Sequence, residues 1–217
     1  MHLSRCALTL VATMLAGIGF AQATPIAPNL ITNGSFENPS VGSGYQIFTN
    51  GNVPGWTSNH NEIEIDYSNI LGGPAYAGRQ SAELNGTTFD TISQTVTGLT
   101  PGALYTLSWA YGSRPGYGPQ QTRVSFGGET ITTDASTGAA ASSLDWMLNT
   151  FVVSADASSE TLSFAALNLP GYNPSGGNEI DAVSLIAVPE PGSLALLGTA
   201  LIGLGLISRR RARTSKR

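Results

Sequence analysis

The chain has 217 residues, a single cysteine and a formal net charge of −4 at pH 7. Residues 24–188 hold 13 of the 14 acidic residues but only three of the 10 basic ones, Arg79, Arg114 and Arg123. This segment therefore carries a net charge of about −10, which excludes DNA, RNA and anionic lipid headgroups as partners and leaves cations or neutral polysaccharides.

The first 23 residues have the features of a secretory signal peptide. Arg5 precedes an apolar run over residues 7–20, and Ala21-Gln22-Ala23 supplies the small residues of a signal-peptidase site. We expect signal peptidase to cleave after Ala23. Cys6 leaves with this peptide, so the mature chain has no disulfide, thiol nucleophile or thiolate metal ligand.

Residues 24–188 have the length of one domain and the alternation of β-strands. Short segments alternate apolar and polar residues and are separated by Gly, Pro, Asn and Ser. The pattern predicts an all-β fold of about eight to ten strands, a single β-sandwich of the jelly-roll type, with residues 137–143 as a loop. Apolar positions that share a face include Ile63 and Ile65, Ile92 and Val96, Tyr105, Leu107 and Trp109, Val124 and Phe126, and Leu162 and Phe164.

Several strings of this domain carry a resemblance to a known group of folds. They are NLITNGSFE at 29–37 followed by PGW at 54–56, ISQTV at 92–96, the segment 101–109, and IDAVSL at 180–185. Together they resemble galactose-binding-like jelly rolls, which include many carbohydrate-binding modules, and are most similar to bacterial choice-of-anchor surface domains. The resemblance implies an exported protein whose relatives often bind sugars, and it carries over no defined enzymatic reaction.

The same resemblance implies a structural calcium ion. In galactose-binding-like folds the first and last strands lie side by side, and a carboxylate from each often holds the ion. The matching residues here are Glu37 and Asp181, with backbone carbonyls as further ligands. Calcium takes six to eight hard oxygens, and its binding would stabilise an acidic domain that lacks disulfides. The alternative is that both carboxylates accept backbone N–H groups or face solvent.

Glu62, Glu64 and Asp66 alternate along one predicted strand and are the candidates for acid–base chemistry. Their side chains should point to the same face about 6.5–7 Å apart, a spacing that glycosidase carboxylates use. The string resembles the E-x-D-x-E signature of jelly-roll glucanases, but the aspartate comes last instead of in the centre. Solvated strand carboxylates are the preferred interpretation. His60, the one histidine after residue 23, is interpreted as a turn residue.

Aromatic residues in turn-rich segments are the candidates for sugar contacts, because glycan sites combine aromatic faces with a few polar groups. Tyr111, Arg114 and Tyr117 belong to a predicted loop that leaves a core strand, and Tyr76 and Arg79 belong to another. The alternative is that these tyrosines cap the ends of the sandwich. The periodicity places Tyr105 and Trp109 in the core, and packing is also the preferred role of Trp56.

The C-terminal segment 189–217 has three parts in a fixed order. Pro189-Glu190-Pro191 is followed by an apolar run over 194–207 and by a basic tail over 209–217. Flanking prolines keep the tripeptide extended, and the basic tail is expected to stay cytoplasmic. The layout resembles the PEP-CTERM sorting signal, which exosortases read in Gram-negative bacteria that make exopolysaccharide. It implies transient anchoring in the inner membrane through a short transmembrane helix, cleavage near the tripeptide, and release to the cell surface or matrix.

Three function classes follow from these observations. We favour a non-catalytic glycan-binding module of the cell surface, associated with exopolysaccharide. The first alternative is a structural or adhesion module without a sugar site. The second is a jelly-roll glycoside hydrolase that uses Glu62, Glu64 and Asp66.

Overall fold

The computed structural model describes residues 27–136, 144–189 and 201. The predicted signal peptide 1–23, the loop 137–143, Glu190, Pro191 and, apart from Leu201, the apolar run lie outside the described residues. Within the described part of the chain, no helix combines the length and apolarity needed to cross a bilayer.

The described residues form eleven β-strands in two antiparallel sheets. In chain order the strands are β1 (Tyr45–Phe48), β2 (Thr57–Ser58), β3 (Ile63–Tyr67), β4 (Gln80–Glu83), β5 (Thr91–Thr97), β6 (Leu104–Ser113), β7 (Gln120–Phe126), β8 (Glu129–Ser136), β9 (Asp145–Ser154), β10 (Ser159–Ala166) and β11 (Asn178–Ala187). One sheet has the order β1-β3-β4-β11-β6-β9 and the other β2-β5-β10-β7-β8. The all-β jelly-roll sandwich is confirmed, with more strands than the alternation alone predicts.

The core lies between the two sheets and is built from the alternate apolar residues that the sequence pattern singled out. Ile63, Ile65, Leu107 and Trp109 are fully buried there. Trp56 is buried as well, with its ring 5.0 Å from that of Phe36. Burying apolar area of this kind contributes about 25 cal/mol per Å², so these contacts supply the main driving force for the fold.

The N-terminal segment lies beside the last strand, as the resemblance implies, although it forms turns instead of a strand. The Leu30 N–H donates to the Leu185 carbonyl at 2.9 Å, and the Val183 N–H donates to the Gly34 carbonyl at 2.8 Å. The Asn29 side chain adds a contact, since its Oδ1 accepts from the Leu185 N–H at 2.9 Å. Residues 29–34 are therefore tied to β11 by hydrogen bonds at Leu185 and at Val183, which lies in the irregularity of register between Asp181 and Ser184.

The outer face of the six-stranded sheet carries polar side chains. Successive residues of a strand point to opposite faces, so the neighbours of Ile63, Ile65 and Ile180 point away from the core. Glu64 on β3 lies opposite Glu83 on β4, and Glu83 in turn lies opposite Glu179 on β11. The strand register therefore places three glutamates in one row across the middle of this sheet.

Candidate functional site

A groove with a volume of about 270 Å³ opens on the outer face of the six-stranded sheet. Strand β1 contributes one side, strands β3 and β4 contribute the floor, and the loop after β6 contributes the other side. Its lining includes Tyr45, Ile47, Glu64, Glu83, Arg114 and Tyr117. This groove joins apolar, aromatic and charged groups on one accessible surface.

Carboxyl groups crowd together at the floor of the groove. Glu64, Asp66 and Glu83 each offer an oxygen, and these three oxygens lie within 4.8 Å of one another. Glu179 is fully buried beside them, in register with Glu83. We call Glu64, Asp66, Glu83 and Glu179 the carboxylate cluster.

Arg114 supplies positive charge to the carboxylate cluster. Its Nη1 donates to Oε2 of Glu83 at 2.6 Å and to Oδ2 of Asp66 at 3.1 Å. Burial by itself lowers the pKa of Arg114. The nearby carboxyl groups of Glu83, Glu179 and Asp66 raise it by more than burial lowers it, so the pKa lies above its usual value. The guanidinium therefore stays charged, and its carbon lies 4.6 Å from the centre of the Tyr117 ring, a cation–π contact.

Burial raises the pKa of every carboxyl in the cluster, and mutual repulsion adds to it for Glu64, Asp66 and Glu179. Desolvation, reinforced by the neighbouring carboxylates, raises the pKa of Glu64 to about 7, of Glu179 to about 8 and of Asp66 to about 11. Desolvation also raises the pKa of Glu83, although Arg114 and the Gly177 N–H act against it. Full ionisation of the cluster therefore requires more positive charge than Arg114 provides.

Buried amides fix the Tyr117 side of the groove. Asn85 and Gln120 both donate to the Gly176 carbonyl, at 2.8 and 3.0 Å, and Gln120 also donates to the Tyr117 carbonyl at 3.1 Å. Gly176 has a φ of 129°, and a Cβ there would collide with the Tyr117 ring. The ring therefore rests directly on backbone, which orders this wall before any ligand arrives.

The structure brings Arg114 and Tyr117 together but removes Tyr111 from the predicted sugar site. Tyr111 lies within β6 and not in a loop, and only 2% of it is exposed. Its hydroxyl donates to Oδ1 of Asn178 at 2.8 Å, and burial raises its pKa. The prediction of a loop position was wrong because the strand continues two residues beyond Tyr111, to Ser113.

Tyr76 and Arg79 are exposed in the loop before β4, as the sequence predicts, but they do not line the groove. The Tyr76 ring meets the Trp146 ring edge-on at 6.2 Å.

The sequence did not predict four residues of this face: Tyr45, Ile47, Glu83 and Glu179. The exposed aromatic and aliphatic positions of β1, Tyr45 and Ile47, were the signal available for the first two.

Glu64 and Asp66 point to the same face of β3, which confirms that part of the sequence analysis. The solvated interpretation was wrong, because both side chains are buried and Asp66 lies beneath Arg114. Glu62 precedes β3, accepts a hydrogen bond from the Thr87 hydroxyl, and lines a smaller depression together with Glu64.

His60 lies next to an acid, but the arrangement differs from that of a catalytic triad. Its Nδ1 is 3.2 Å from Oδ1 of Asp90. The Ser58 hydroxyl donates to the other Asp90 oxygen and accepts the His60 and Glu62 N–H groups, each at 3.1 Å. The Ser58 hydroxyl is therefore hydrogen-bonded to Asp90 instead of to the imidazole. Ser58, His60 and Asp90 together stabilise a turn.

Glu37 and Asp181 meet at the same backbone segment. Oε1 of Glu37 accepts the N–H groups of Arg79 and Gln80 at 2.7 and 2.8 Å, and Oδ2 of Asp181 accepts the Ala77 N–H at 2.7 Å. Burial raises the pKa of Asp181 to about 7, with the charge of Glu37 adding to the effect. Both carboxylates therefore accept backbone N–H groups, as the alternative predicts, and the chemistry of their hard oxygens also suits calcium.

A comparison of the chain with known families identifies its domain. The family model described as carbohydrate binding domain, CBM_4_9, matches residues 28–168. The chain belongs to this family. The predicted resemblance to carbohydrate-binding modules is confirmed by this match.

The carbohydrate-binding domain is also similar to individual proteins. Halomucin of Haloquadratum walsbyi is 32% identical over 191 residues, which are 82% of this chain and 2% of halomucin. The chain thus spans about 2% of the length of that relative. Among solved structures, the CBM22-1 xylan-binding domain of Paenibacillus barcinonensis Xyn10C has a TM-score of 0.49 at 16% identity, covering 78% of this chain and all of that domain. The C-terminal family 22 carbohydrate-binding module of Clostridium thermocellum Xyn10B has a TM-score of 0.46 at 17% identity, over 69% of this chain and 97% of that module.

A second family model, the PEP-CTERM protein-sorting motif, matches residues 187–211. The predicted sorting signal is confirmed by this match. It implies processing by an exosortase, export, and sorting to the cell surface. The protein is therefore an exported one that presents a carbohydrate-binding domain.

Proposed function

We propose that the groove binds a neutral extracellular glycan and holds it without cleaving it. The observation that carries the proposal is the pairing of Tyr45, which is 60% exposed on β1, with Tyr117 on the other side of the Glu64–Glu83 floor. A sugar ring offers an apolar face to an aromatic ring and hydroxyls to polar groups. The groove supplies both kinds of surface along one line.

The charge of the groove favours a neutral glycan over an acidic one. The cluster carries four carboxyl groups against one guanidinium, so an anionic polymer would be repelled unless a cation bridged it to the protein. Glu64 and Glu83 instead suit hydroxyl donors, since carboxylates accept hydrogen bonds. Stacking on two tyrosines and a few hydrogen bonds bury a modest area. We therefore expect dissociation constants between millimolar and micromolar, which correspond to binding free energies of about −4 to −8 kcal/mol.

Titration of the purified protein with neutral galacto-, xylo- and gluco-oligosaccharides tests the groove. Tyr45→Ala and Tyr117→Ala are each expected to weaken binding by up to about tenfold, because stacking on an aromatic face is worth about 0.5–1.5 kcal/mol. Tyr76→Ala is the matched control, an exposed tyrosine outside the groove, and should bind as the wild type does. Loss of binding in Tyr76→Ala alone would move the site to the Tyr76–Trp146 pair. Absence of binding to these sugars and to the host's exopolysaccharide would favour the structural alternative.

The same incubations separate binding from hydrolysis. Without catalysis, the oligosaccharides should be recovered intact and no new reducing ends should form. Release of reducing ends that Glu64→Gln abolishes would establish the hydrolase alternative. The burial of Asp66 beneath Arg114 supports the non-catalytic proposal, because the second carboxylate of a glycosidase must reach the sugar or its attacking water.

We also propose that Glu37 and Asp181 hold a structural calcium ion. Calcium should raise the melting temperature, since an ion that binds only the folded state stabilises it by about 2.7 kcal/mol at a hundred times its dissociation constant. Asp181→Asn should reduce the gain, whereas Asp156→Asn, a change at an exposed surface aspartate, should leave it intact. Equal gains in the wild type and Asp181→Asn would rule this site out.

The sorting motif supports a proposal for the path of the protein. Residues 194–207 hold the chain briefly in the inner membrane of a Gram-negative bacterium, with the basic tail in the cytoplasm. Cleavage near Pro189-Glu190-Pro191 then frees the domain into the cell-surface matrix. A glycan-binding groove on such a protein would attach it to exopolysaccharide.

A further inference from the structure

The carboxylate cluster concentrates more negative charge than glycan binding requires. Glu64 and Asp66 come from β3, Glu83 from β4 and Glu179 from β11, three strands that are direct neighbours in the sheet. Adjacent strands lie about 4.7–4.9 Å apart, so side chains in register on one face are forced into contact. Four carboxyl groups thus share one small region, and three of them are at most 2% exposed.

Two oxygens of the cluster lack partners. Among the described residues, Oδ1 of Asp66 and Oε1 of Glu179 are buried without a hydrogen-bond partner. Glu179 stands outside the trio of converging oxygens, and its other oxygen, Oε2, accepts the Ser81 hydroxyl at 2.7 Å. Buried acceptors in folded proteins nearly always have a partner, so these two oxygens call for a partner that the described side chains do not supply, such as an ion.

Arg114 is not the partner of the two unpartnered oxygens. Its Nη1 bonds to Oδ2 of Asp66 and Oε2 of Glu83 and leaves the unpartnered oxygens unsatisfied. Buried carboxylates must be paired or must coordinate a cation, and the fully ionised cluster would keep three negative charges after Arg114 is counted. The neutralising group therefore has to be a further cation or bound protons.

The oxygen chemistry selects the kind of cation. All four groups are hard carboxylates, which suit calcium, whereas structural zinc sites are built mainly from cysteine sulfur and histidine nitrogen. Glu64 and Glu83 also line the groove, which gives an ion a path to the cluster and leaves room for coordinating water. Calcium accepts this mixture of carboxylate and water ligands in flexible geometry.

We propose that Glu64, Asp66, Glu83 and Glu179 form a calcium site beneath the groove, in addition to the pair formed by Glu37 and Asp181. The ion replaces the protons that would otherwise neutralise the carboxyl groups. The site does not depend on glycan binding, so calcium alone is the probe.

Equilibrium dialysis of the purified protein against calcium tests the proposal. Asp66→Asn keeps the size of the side chain and removes its charge, and it should bind one calcium ion fewer per chain than the wild type. Asp181→Asn should keep the ion of the cluster. Asp134→Asn is the matched control, a buried carboxyl elsewhere that accepts the Trp109 indole N–H at 2.8 Å, and should keep the wild-type calcium content.

Circular dichroism establishes that each variant is folded. If Asp66→Asn does not fold, Glu64→Gln takes its place, since this side chain reaches the groove, and its affinity for the ion should fall by about tenfold or more. A folded Asp66→Asn or Glu64→Gln with unchanged calcium content and affinity overturns the proposal. In that case protons and Arg114 neutralise the cluster.

Discussion

Replacement of Arg114 by methionine is expected to lower the free energy of unfolding by about 3–5 kcal/mol in calcium-free buffer near pH 7. The guanidinium is the positive partner of Glu83 and Asp66, and methionine keeps an apolar stem of similar length without the charge. Removing one partner of a buried ion pair leaves the other charge desolvated and unpaired, which costs more than the pair itself contributes. Chemical denaturation of the purified protein measures the change.

Arg123→Met is the control for this experiment. Arg123 is exposed on β7, so its replacement should change the free energy of unfolding by no more than about 0.5 kcal/mol. If Arg114→Met proves as stable as Arg123→Met, the carboxylate cluster is already neutral in the folded protein and needs no guanidinium. Loss of stability in Arg114→Met that calcium partly restores would connect the arginine to the proposed ion.

Tyr111→Ala is expected to lower the free energy of unfolding by about 3–5 kcal/mol, in the range of other large aromatic truncations in cores. The ring is buried in the core between the sheets, and its hydroxyl is the partner of Asn178. Tyr111→Phe retains the ring and leaves the Asn178 oxygen without this donor, at a cost of about 1–3 kcal/mol. Thermal and denaturant unfolding distinguish the two variants.

Tyr117→Ala tests a tyrosine of the groove against the buried Tyr111. Its ring is only partly buried at the groove, so the loss of stability should stay near 1 kcal/mol while glycan affinity falls. Comparable stability of Tyr111→Ala and Tyr117→Ala would contradict the core position of Tyr111. Any loss of glycan binding in Tyr111→Ala should track the unfolded fraction, which sets it apart from a direct ligand contact.

Local patterns in the sequence were sufficient for the architecture. Alternation at Ile63 and Ile65, or at Leu107 and Trp109, marks which side of a strand meets the core, because the side-chain period of a strand is two residues. The strings at 29–37 and 180–185 carried the resemblance that correctly placed the two ends of the domain together. Both signals are contained in a few consecutive residues, so no knowledge of the other strands was needed.

The candidate site was predictable only in part. Arg114 and Tyr117 were found because they follow a core strand in a segment rich in glycine and proline. Tyr111 was misplaced in the same argument, because the end of a strand depends on its pairing partners. Here β6 continues to Ser113 because both β9 and β11 pair with it up to that residue.

Burial of the carboxylate cluster was decided by tertiary structure alone. In the sequence, Glu64, Glu83 and Glu179 lie far apart, and alternation identifies each only as a residue that points away from the core. Their convergence results from the order β3-β4-β11 and its register, and their burial results from the loop after β6, which carries Arg114 and Tyr117 over this face. The sequence determined the two faces of each strand through periodicity, whereas neighbouring strands and covering loops decided which outward-facing side chains became a site, because that depends on contacts between distant residues.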